Sequence, residues 1–197
     1  MVRPALETPA DRPGRVLIRF EIREGAQVRI RNIEIRGNTR TRDKVIRREI
    51  ALQVVPGEVM NEPLVERSEN RIRNLNYFSD VRHYTTPTDQ EDLRDLVFEV
   101  KEQRTGNFMV GAGFSSVDNL IGFAEINQAN FDIANWPYFT GGGQKARAGF
   151  ELGSTRQTVE LGWTEPWFLD KPMSLSLELY RRMRGYDEFN EIRTGAS

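Results

Sequence analysis

The chain has 197 residues and a formal net charge of -1, which argues against a nucleic-acid-binding protein, because such proteins usually carry a basic excess. It contains no cysteine, which excludes disulfides, thiol nucleophiles and cysteine-based zinc sites. No run approaches the roughly 18 apolar residues that a membrane helix needs, and residues 1–15 lack the apolar core of a signal peptide. We therefore expect either a cytosolic protein or a piece of a longer chain.

Composition divides the chain near residue 105. Residues 1–105 hold 38 of the 57 Asp, Glu, Lys and Arg residues, but only 5 of the 19 aromatic residues and 4 of the 16 glycines. Two environments are implied. A short repeat in the first part aligns Leu17–Glu24 with Leu96–Glu102. Its offset is that of one small domain, which indicates that residues 1–26 end one domain and that a second domain follows.

This second domain is predicted to be an α+β module with the order β-α-α-β-β. Alternating residues 28–35 predict a strand. Thr41 is a candidate cap for a first helix that reaches about Ile50, and Asn61 is a candidate cap for a second. Residues 81–85 and 96–100 predict the last two strands. The single histidine, His83, is predicted to be a plain exposed strand residue, and no metal site is predicted.

About five strands of alternating polarity are predicted beyond residue 105. In residues 145–163, Gly153-Ser154 is a two-residue turn signal that sets the register of a hairpin. In that register Glu151 faces Arg156 and Arg147 faces Glu160, so the polar face carries ion pairs while the other face is apolar.

Such strands fit two kinds of barrel. A soluble barrel turns its apolar face inward, whereas an outer-membrane barrel turns it to lipid and places its charges in a wet interior. Strands of about ten residues, tilted about 45°, span about 24 Å, close to the roughly 25 Å apolar band of membrane barrels. Aromatic residues gather at alternate turns, as they do at membrane interfaces. These residues are Trp136, Tyr138, Phe139, Trp163, Trp167 and Phe168.

Several segments resemble the BamA family of outer-membrane protein assembly factors. The resemblance rests on RNIEIRGNTRTRDKVIRREI, NLNYFSDV, LVFEVKEQRTGNFMVGAGF, QANFDIANW and TEPWFL, in the family's order and spacing. It implies an α+β POTRA module followed by the first antiparallel strands of a transmembrane β-barrel. Residues 27–104 then correspond to the last POTRA domain, residues 1–26 to the tail of the preceding one, and residues 105–197 to the truncated start of the barrel. The implied location is the bacterial outer membrane, with the POTRA part in the periplasm.

The resemblance also implies function at a strand edge. The first barrel strand corresponds to the family's seam, where an incoming client strand can pair through its backbone. Its residues are Asn107, Phe108, Met109, Val110, Gly111, Ala112, Gly113 and Phe114.

The implied partners are unfolded outer-membrane β-barrel proteins, assembly lipoproteins and outer-membrane lipid, with further docking at POTRA edges. No nucleic acid and no cofactor are expected, and we expect no enzyme, because the sequence contains no phosphate-binding loop or nucleophile elbow. Three alternatives remain: a two-partner-secretion or TamA-like transporter of the same superfamily, a soluble ligand-binding barrel, and a barrel enzyme.

Overall fold

A computed structural model describes residues 2–7, 17–22, 27–116, 119–186 and 189–197. It contains a two-stranded, a three-stranded and a six-stranded sheet. The two-stranded sheet pairs β1 (Val2–Glu7) with β2 (Leu17–Ile22) in antiparallel fashion. Within the described ranges, no helix is long and apolar enough to cross a membrane.

The α+β module follows, from β3 to β5. Its elements are β3 (Arg29–Arg36), α1 (Asp43–Arg47), α2 (Glu62–Asn74), β4 (Phe78–Pro87) and β5 (Leu93–Glu102). The sheet has the order β3-β5-β4, in which β5 pairs in parallel with β3 and antiparallel with β4. This is the predicted β-α-α-β-β order, and it leaves β3 and β4 at the two edges of the sheet.

The core of the module lies between the two helices and one face of the sheet. Its fully buried side chains include Val45 and Ile46 of α1, Val65 and Ile72 of α2, and Phe98 of β5. Residues spaced three or four positions apart share one face of a helix, which is why α2 buries a single apolar stripe. The module therefore has a core of its own.

The first helix differs from its prediction. It covers only Asp43–Arg47, Arg42 holds the capping position, and no side chain caps its first turn. Thr41 is buried, and its hydroxyl accepts a hydrogen bond from the side chain of Asn130. The second helix begins after Asn61 as predicted, with Pro63 in its first turn, but the Asn61 side chain makes no capping hydrogen bond.

His83 is not the exposed residue that was predicted. Its side chain is only 15% exposed, and it lies between two carboxylates of α2. Its Nδ1 lies 2.5 Å from Glu69 and its Nε2 lies 2.8 Å from Glu62. Partial burial alone would lower the pKa of His83, but the hydrogen bonds that its ring N–H groups donate to both glutamates outweigh it and raise the pKa above its ordinary value.

The six-stranded sheet has one strand more than predicted. Its strands are β6 (Gly106–Ser115), β7 (Asn119–Phe131), β8 (Gln144–Gly153), β9 (Arg156–Glu165), β10 (Leu175–Gly185) and β11 (Asn190–Ala196). Neighbours in sequence are neighbours in the sheet, and every pair is antiparallel. This is the up-and-down order of a barrel wall.

The sheet keeps apolar residues on one face. The register places Phe108 opposite Ile126, Ile126 opposite Ala148, Ala148 opposite Leu161, and Leu161 opposite Leu179. Side chains alternate between faces along a strand, so these five residues form one apolar row across five strands. Four of the five side chains are about half exposed or more, the exception being Ala148. One face of the sheet is therefore an uncovered apolar surface.

The register of the β8-β9 hairpin corrects the predicted ion pairs. Arg147 lies opposite Gly162 and Glu151 opposite Thr158, because the turn falls one residue later than predicted, at Ser154-Thr155. A turn displaced by one residue shifts every partner by two and leaves each side chain on its predicted face. The predicted pairing of Arg147 with Glu160 is therefore wrong.

Instead, the charged face links neighbouring strands in another pattern. Arg147 pairs with Glu125 of β7 at 3.1 Å, and Arg182 of β10 pairs with Glu160 at 2.7 Å. Glu151 and Arg156 do form an ion pair at 3.2 Å, along a diagonal of the hairpin. The charged face is thus tied across β7, β8, β9 and β10.

Candidate functional site

The free edge of β6 is the first part of the candidate site. This strand pairs with β7 on one side, and in the described part of the chain no strand pairs with its other side; β11, at the opposite end of the sheet, likewise has one neighbour there. Phe108, Val110 and Phe114 project from its apolar face and are 66%, 64% and 88% exposed. A row of backbone groups beside exposed side chains is a template on which another extended segment can pair.

The polar face of β6 contains Gly111 and Gly113, two residues of the predicted client-pairing strand. Their surroundings differ. A Cβ on Gly111 would lie 2.4 Å from the ring of Phe123, so the glycine makes room for this ring. A Cβ on Gly113 would meet nothing within 4 Å. Packing therefore explains Gly111, whereas no described residue near Gly113 requires glycine there.

The second part of the site is a junction between the six-stranded sheet and the α+β module. The segment between β7 and β8, residues 132–143, lies against the start of α1. The backbone N–H of Arg42 donates to the carbonyl of Gly141 at 2.9 Å, and the hydroxyl of Tyr77 donates to the carbonyl of Gly143 at 3.4 Å. We call this contact the junction.

Asn130 is the central polar residue of the junction. Its side-chain N–H donates to the hydroxyl of Thr41 at 2.9 Å, and its side-chain oxygen accepts from the N–H of Gly143 at 2.8 Å. Asn130 and Thr41 are 2% and 3% exposed. Buried polar groups are costly unless they are paired, so these bonds favour one relative placement of the two parts.

An ion pair reinforces the same contact. The guanidinium of Arg42 lies 2.6 Å from the carboxylate of Asp132, which is almost completely buried. The other carboxylate oxygen of Asp132 accepts from the N–H of Ala134 at 3.1 Å and so fixes the start of the 132–143 segment. One carboxylate thus connects the fold of the segment to its docking on the module.

Two glycines allow the close approach. Gly141 has a φ of +107°, and a Cβ there would lie 2.0 Å from the carbonyl oxygen of Arg40. Gly143 has a φ of +75°, and a Cβ there would lie 2.4 Å from the guanidinium of Arg48. Both the backbone conformation and the available space therefore require glycine at these positions.

Arg48 connects the module to the next turn on the same side. Its guanidinium lies 5.5 Å from the centre of the Trp167 ring, which is a cation–π distance. Burial lowers the pKa of Arg48 and raises the pKa of the neighbouring Tyr77 to about 12. Lys44 also reaches Asp170 of this turn, at 3.5 Å between exposed groups. Both turns at this end of the sheet therefore contact the module.

Glu102 orders the backbone just before β6. Its carboxylate accepts hydrogen bonds from the N–H groups of Arg40 and Thr41, at 3.0 and 2.6 Å, and from the hydroxyl of Thr39 at 2.8 Å. Burial alone would raise the pKa of Glu102, but these hydrogen bonds outweigh it and lower the pKa. The carboxylate thus holds residues 39–41 beside the start of the strand.

The six aromatic residues that were predicted to lie at a membrane interface are at the end of the sheet that contacts the module. Trp136 and Tyr138 are 77% and 76% exposed, and Phe139 stacks on Phe131 with ring centres 5.8 Å apart. Trp163 donates to Gln144 at 3.2 Å, while Trp167 lies beneath Arg48. Phe168 follows in the same turn. The structure brings the six residues to one end of the sheet, which is the arrangement that the chain order predicted.

The sequence analysis missed the junction. Thr41, Asn130, Asp132 and Gly143 meet over separations of up to 89 residues, and no local pattern pairs them. The one available signal was the run of glycines from Gly141 to Gly143, since consecutive glycines permit close approach of the backbone. Among the described residues, no cluster of three or more His, Asp and Glu side chains is arranged to hold a metal ion.

Comparison with known proteins shows which families the α+β module and the six-stranded sheet resemble. Residues 28–103 match the POTRA family, described as a surface antigen variable number repeat, and residues 139–197 match the Omp85 superfamily domain. The chain is 28% identical over 178 residues to the outer membrane protein assembly factor BamA of Nitratidesulfovibrio vulgaris, covering 90% of this chain and 21% of the relative. It is also 28% identical over 162 residues to BamA of Neisseria meningitidis, covering 82% of this chain and 19% of the relative.

A solved structure has the same fold. The crystal structure of Haemophilus ducreyi BamA lacking POTRA domains 1–3 superposes with a TM-score of 0.81, at 23% identity, over 100% of this chain and 36% of that one. The chain spans about a fifth of the length of the curated relatives it matches.

A POTRA module joined to an antiparallel up-and-down sheet defines a protein of the Omp85 superfamily, located in the bacterial outer membrane with its POTRA part in the periplasm. The chain belongs to the BamA family within it, and it comprises a POTRA domain and the start of the barrel.

Proposed function

We propose that the chain is part of a factor that folds β-barrel proteins and inserts them into the outer membrane. In this proposal, an extended client strand pairs with the free edge of β6, along residues 107–114. The observation that carries it is this edge, since β6 pairs only with β7 in the described chain. Backbone pairing suits varied clients because it depends little on side-chain sequence. The names of the BamA relatives support the same function.

The two faces of the six-stranded sheet fit a wall between lipid and water. We infer that the apolar face contacts outer-membrane lipid and that the ion-paired face lines the barrel interior. The exposed rings of Trp136 and Tyr138, together with the other aromatic residues of that end, would lie at the periplasmic interface.

We propose that the α+β module binds the remaining partners, which are unfolded clients and assembly lipoproteins. We infer that it occupies residues 27–104 as one POTRA domain and that residues 1–26 end a preceding one. Its edge strand β4, and the part of β3 beyond Ile30 that residues 57–60 do not cover, offer backbone groups to unfolded clients and to assembly lipoproteins. Neither role requires a reaction, so we propose a factor that works by binding and not as an enzyme.

Cysteine cross-linking of the full-length protein tests the client edge. Met109→Cys or Gly113→Cys would be combined with a cysteine in the final strand of a barrel protein during its insertion. The control is Gly149→Cys on the internal strand β8, where a new Cβ meets nothing closer than 4.0 Å. We expect register-specific disulfides from β6 and none from β8.

The outcome separates this proposal from its nearest alternative. If the inserted protein forms no client disulfide from either β6 position, strand addition at this edge is wrong. A two-partner-secretion or TamA-like transporter then becomes the function to test.

A further inference from the structure

The apolar face of the six-stranded sheet carries one isolated positive charge. Residues that lie opposite one another on neighbouring strands share a face, so the register defines the members of this face. Apart from Glu165 at the aromatic end, Arg181 of β10 is the only charged residue at the described positions of this face within the six strands. It lies opposite Val159 of β9 and Thr194 of β11. A cation is therefore placed on the face that we infer contacts lipid.

Arg181 differs from the other arginines of β10 and β11. Its side chain is exposed, and it makes no ion pair or side-chain hydrogen bond with another described residue. The other three have partners, which are Glu160 for Arg182 at 2.7 Å, Glu191 for Arg193 at 2.6 Å, and the ring of Tyr186 for Arg184 at 5.4 Å. An unpaired charge is costly in hydrocarbon, so a ligand that supplies the opposite charge would be favoured there.

Two uncharged polar residues share the face beside Arg181. Thr194 lies directly opposite it on β11, and Gln157, which lies opposite Met183, is its diagonal neighbour on β9. A hydroxyl and an amide both donate hydrogen bonds. Together with the guanidinium they supply donors from three adjacent strands. This set of donors suits a phosphate, whose oxygens accept several charge-assisted hydrogen bonds.

A shallow apolar depression of about 370 Å³ lies on the same face, between Arg181 and the aromatic end. Its lining includes Ala146, Ala148, Leu161, Trp163, Leu177 and Leu179. Leu179 precedes Arg181 by two residues on this face, so the depression begins about 7 Å from the arginine. A phosphate site beside a hydrocarbon-sized depression matches the two parts of one phosphate-bearing lipid.

The position of Arg181 along β10 indicates which leaflet the lipid belongs to. Arg181 lies six residues beyond Leu175, where β10 begins at the aromatic end. With a rise of about 3.4 Å per residue and a tilt of about 45°, it lies about 14 Å above that end of an apolar band roughly 25 Å tall. A long arginine side chain extends toward the nearer headgroup layer. For Arg181 this is the layer away from the POTRA domain.

We propose that Arg181, Thr194 and Gln157 bind the phosphate of a lipid in the leaflet away from the POTRA domain, with an acyl chain in the apolar depression. The inference rests on the proposed contact of the apolar face with lipid, and it does not require strand addition at β6. The phosphate would supply the charge that Arg181 lacks. It would also draw the headgroup toward the apolar band beside β9, β10 and β11.

Native mass spectrometry of the full-length protein, released from detergent micelles, tests the inference. The probes are phosphatidylglycerol and a neutral glucosyl diacylglycerol with the same acyl chains. Titration with each lipid gives the Kd of the first bound molecule. The migration of unheated samples in SDS gels shows that the barrel of each variant is folded.

We expect the unmodified protein to bind phosphatidylglycerol about tenfold more tightly than the neutral lipid, since charge-assisted hydrogen bonds are stronger than neutral ones. Arg181→Gln should bind both lipids equally, at the affinity of the neutral lipid. Arg181→Lys should keep part of the preference, because it retains the charge but loses the two-pronged geometry. The matched control is Arg184→Gln, which removes the same charge from the opposite face of the same strand. It should retain the tenfold preference.

Each other outcome contradicts a defined part of the proposal. If the unmodified protein binds both lipids with the same Kd, the phosphate site is wrong. If the preference persists in Arg181→Gln, Arg181 is not a ligand of the phosphate. If inorganic phosphate at the same concentration displaces the lipid, the site binds a free anion and not a lipid. If neither lipid binds, the contact of the apolar face with lipid is contradicted together with the site. Client disulfides from β6 test strand addition independently of these results.

Discussion

Asn130 of β7 donates a hydrogen bond of 2.9 Å to Thr41 of the α+β module, and the two residues are 89 positions apart in the sequence. Both side chains are almost completely buried. The bond therefore connects the POTRA domain to the barrel sheet at a place from which water is excluded. Since β6 and β7 pair along their length, the same contact fixes the free strand edge relative to the POTRA domain.

Removing the Asn130 amide should loosen the junction. Asn130→Ala leaves the N–H of Gly143 without its acceptor and Thr41 without its donor, and each unsatisfied buried group costs about 1–3 kcal/mol. We expect faster hydrogen–deuterium exchange in residues 39–45 and 139–144 of the full-length protein. Asn127→Ala is the control, because the Asn127 side chain donates to Glu125 within its own strand and, among the described residues, does not reach the α+β module. Equal exchange in both variants would show that the junction does not depend on this amide.

A methyl group at Gly141 should separate the two parts by steric conflict. Gly141→Ala places a Cβ 2.0 Å from the carbonyl oxygen of Arg40 and imposes a φ of +107° on an L-residue. We expect trypsin to cleave after Arg40 and Arg42 roughly tenfold faster, because local opening exposes this backbone. Gly122→Ala, which lies in open space on β7, should leave the cleavage rate unchanged. Unchanged cleavage of the Gly141 variant would contradict the close packing described here.

Thr41 and Asn130 show which features of the fold the sequence could predict and which it could not. Alternation predicted the strands and their faces, because the face of a residue depends only on whether its position is odd or even. Thr41 was predicted to cap a helix because its position suits a cap, yet its partner lies in another sheet. The burial of Thr41 depends on tertiary packing, which local propensity does not contain.

The register error has a similar cause. Gly153, Ser154 and Thr155 are all residues that favour turns, so the composition does not distinguish a turn at 153–154 from one at 154–155. Either turn leaves every side chain on the same face, which is why the apolar face was predicted correctly while the partner of Arg147 was not.

The two glutamates beside His83 predict that the stability of the POTRA domain depends on pH. The folded state raises the pKa of His83 above its ordinary value of about 6.5. Protonated His83 therefore contributes stability that is fully present below that ordinary pKa and is lost as pH rises through the higher pKa of the folded state. We expect urea unfolding of the POTRA domain to show this loss. Glu69→Gln should weaken the pH dependence, whereas Glu66→Gln, on an exposed position of the same helix, should preserve it. A titration of the single imidazole signal by NMR with no rise in pKa would contradict the arrangement.

Replacing Ser68 with alanine should destabilise the POTRA domain. Its hydroxyl donates to the carbonyl of Leu64 at 2.8 Å and accepts from the N–H of Ala51 at 3.0 Å, in a fully buried position. Ser68→Ala leaves the N–H of Ala51 unsatisfied and should cost about 1–2 kcal/mol of the free energy of unfolding. Ser79→Ala removes an exposed hydroxyl and should change stability by less than about 0.5 kcal/mol. Equal midpoints of urea unfolding for the two variants would show that the Ser68 hydroxyl is not a structural link.

Paired cysteines can test the register of the β8-β9 hairpin directly, since the chain has no native cysteine. A Cβ on Gly162 would lie 3.9 Å from the Cβ of Arg147, which matches the Cβ separation of about 3.8 Å in disulfides. Arg147→Cys with Gly162→Cys should therefore oxidise readily, as measured by loss of maleimide labelling. Arg147→Cys with Glu160→Cys is the comparison, because its positions are diagonal neighbours and lie beyond disulfide reach in this register. Preferential oxidation of the second pair would restore the turn at Gly153-Ser154 and with it an ion pair between Arg147 and Glu160.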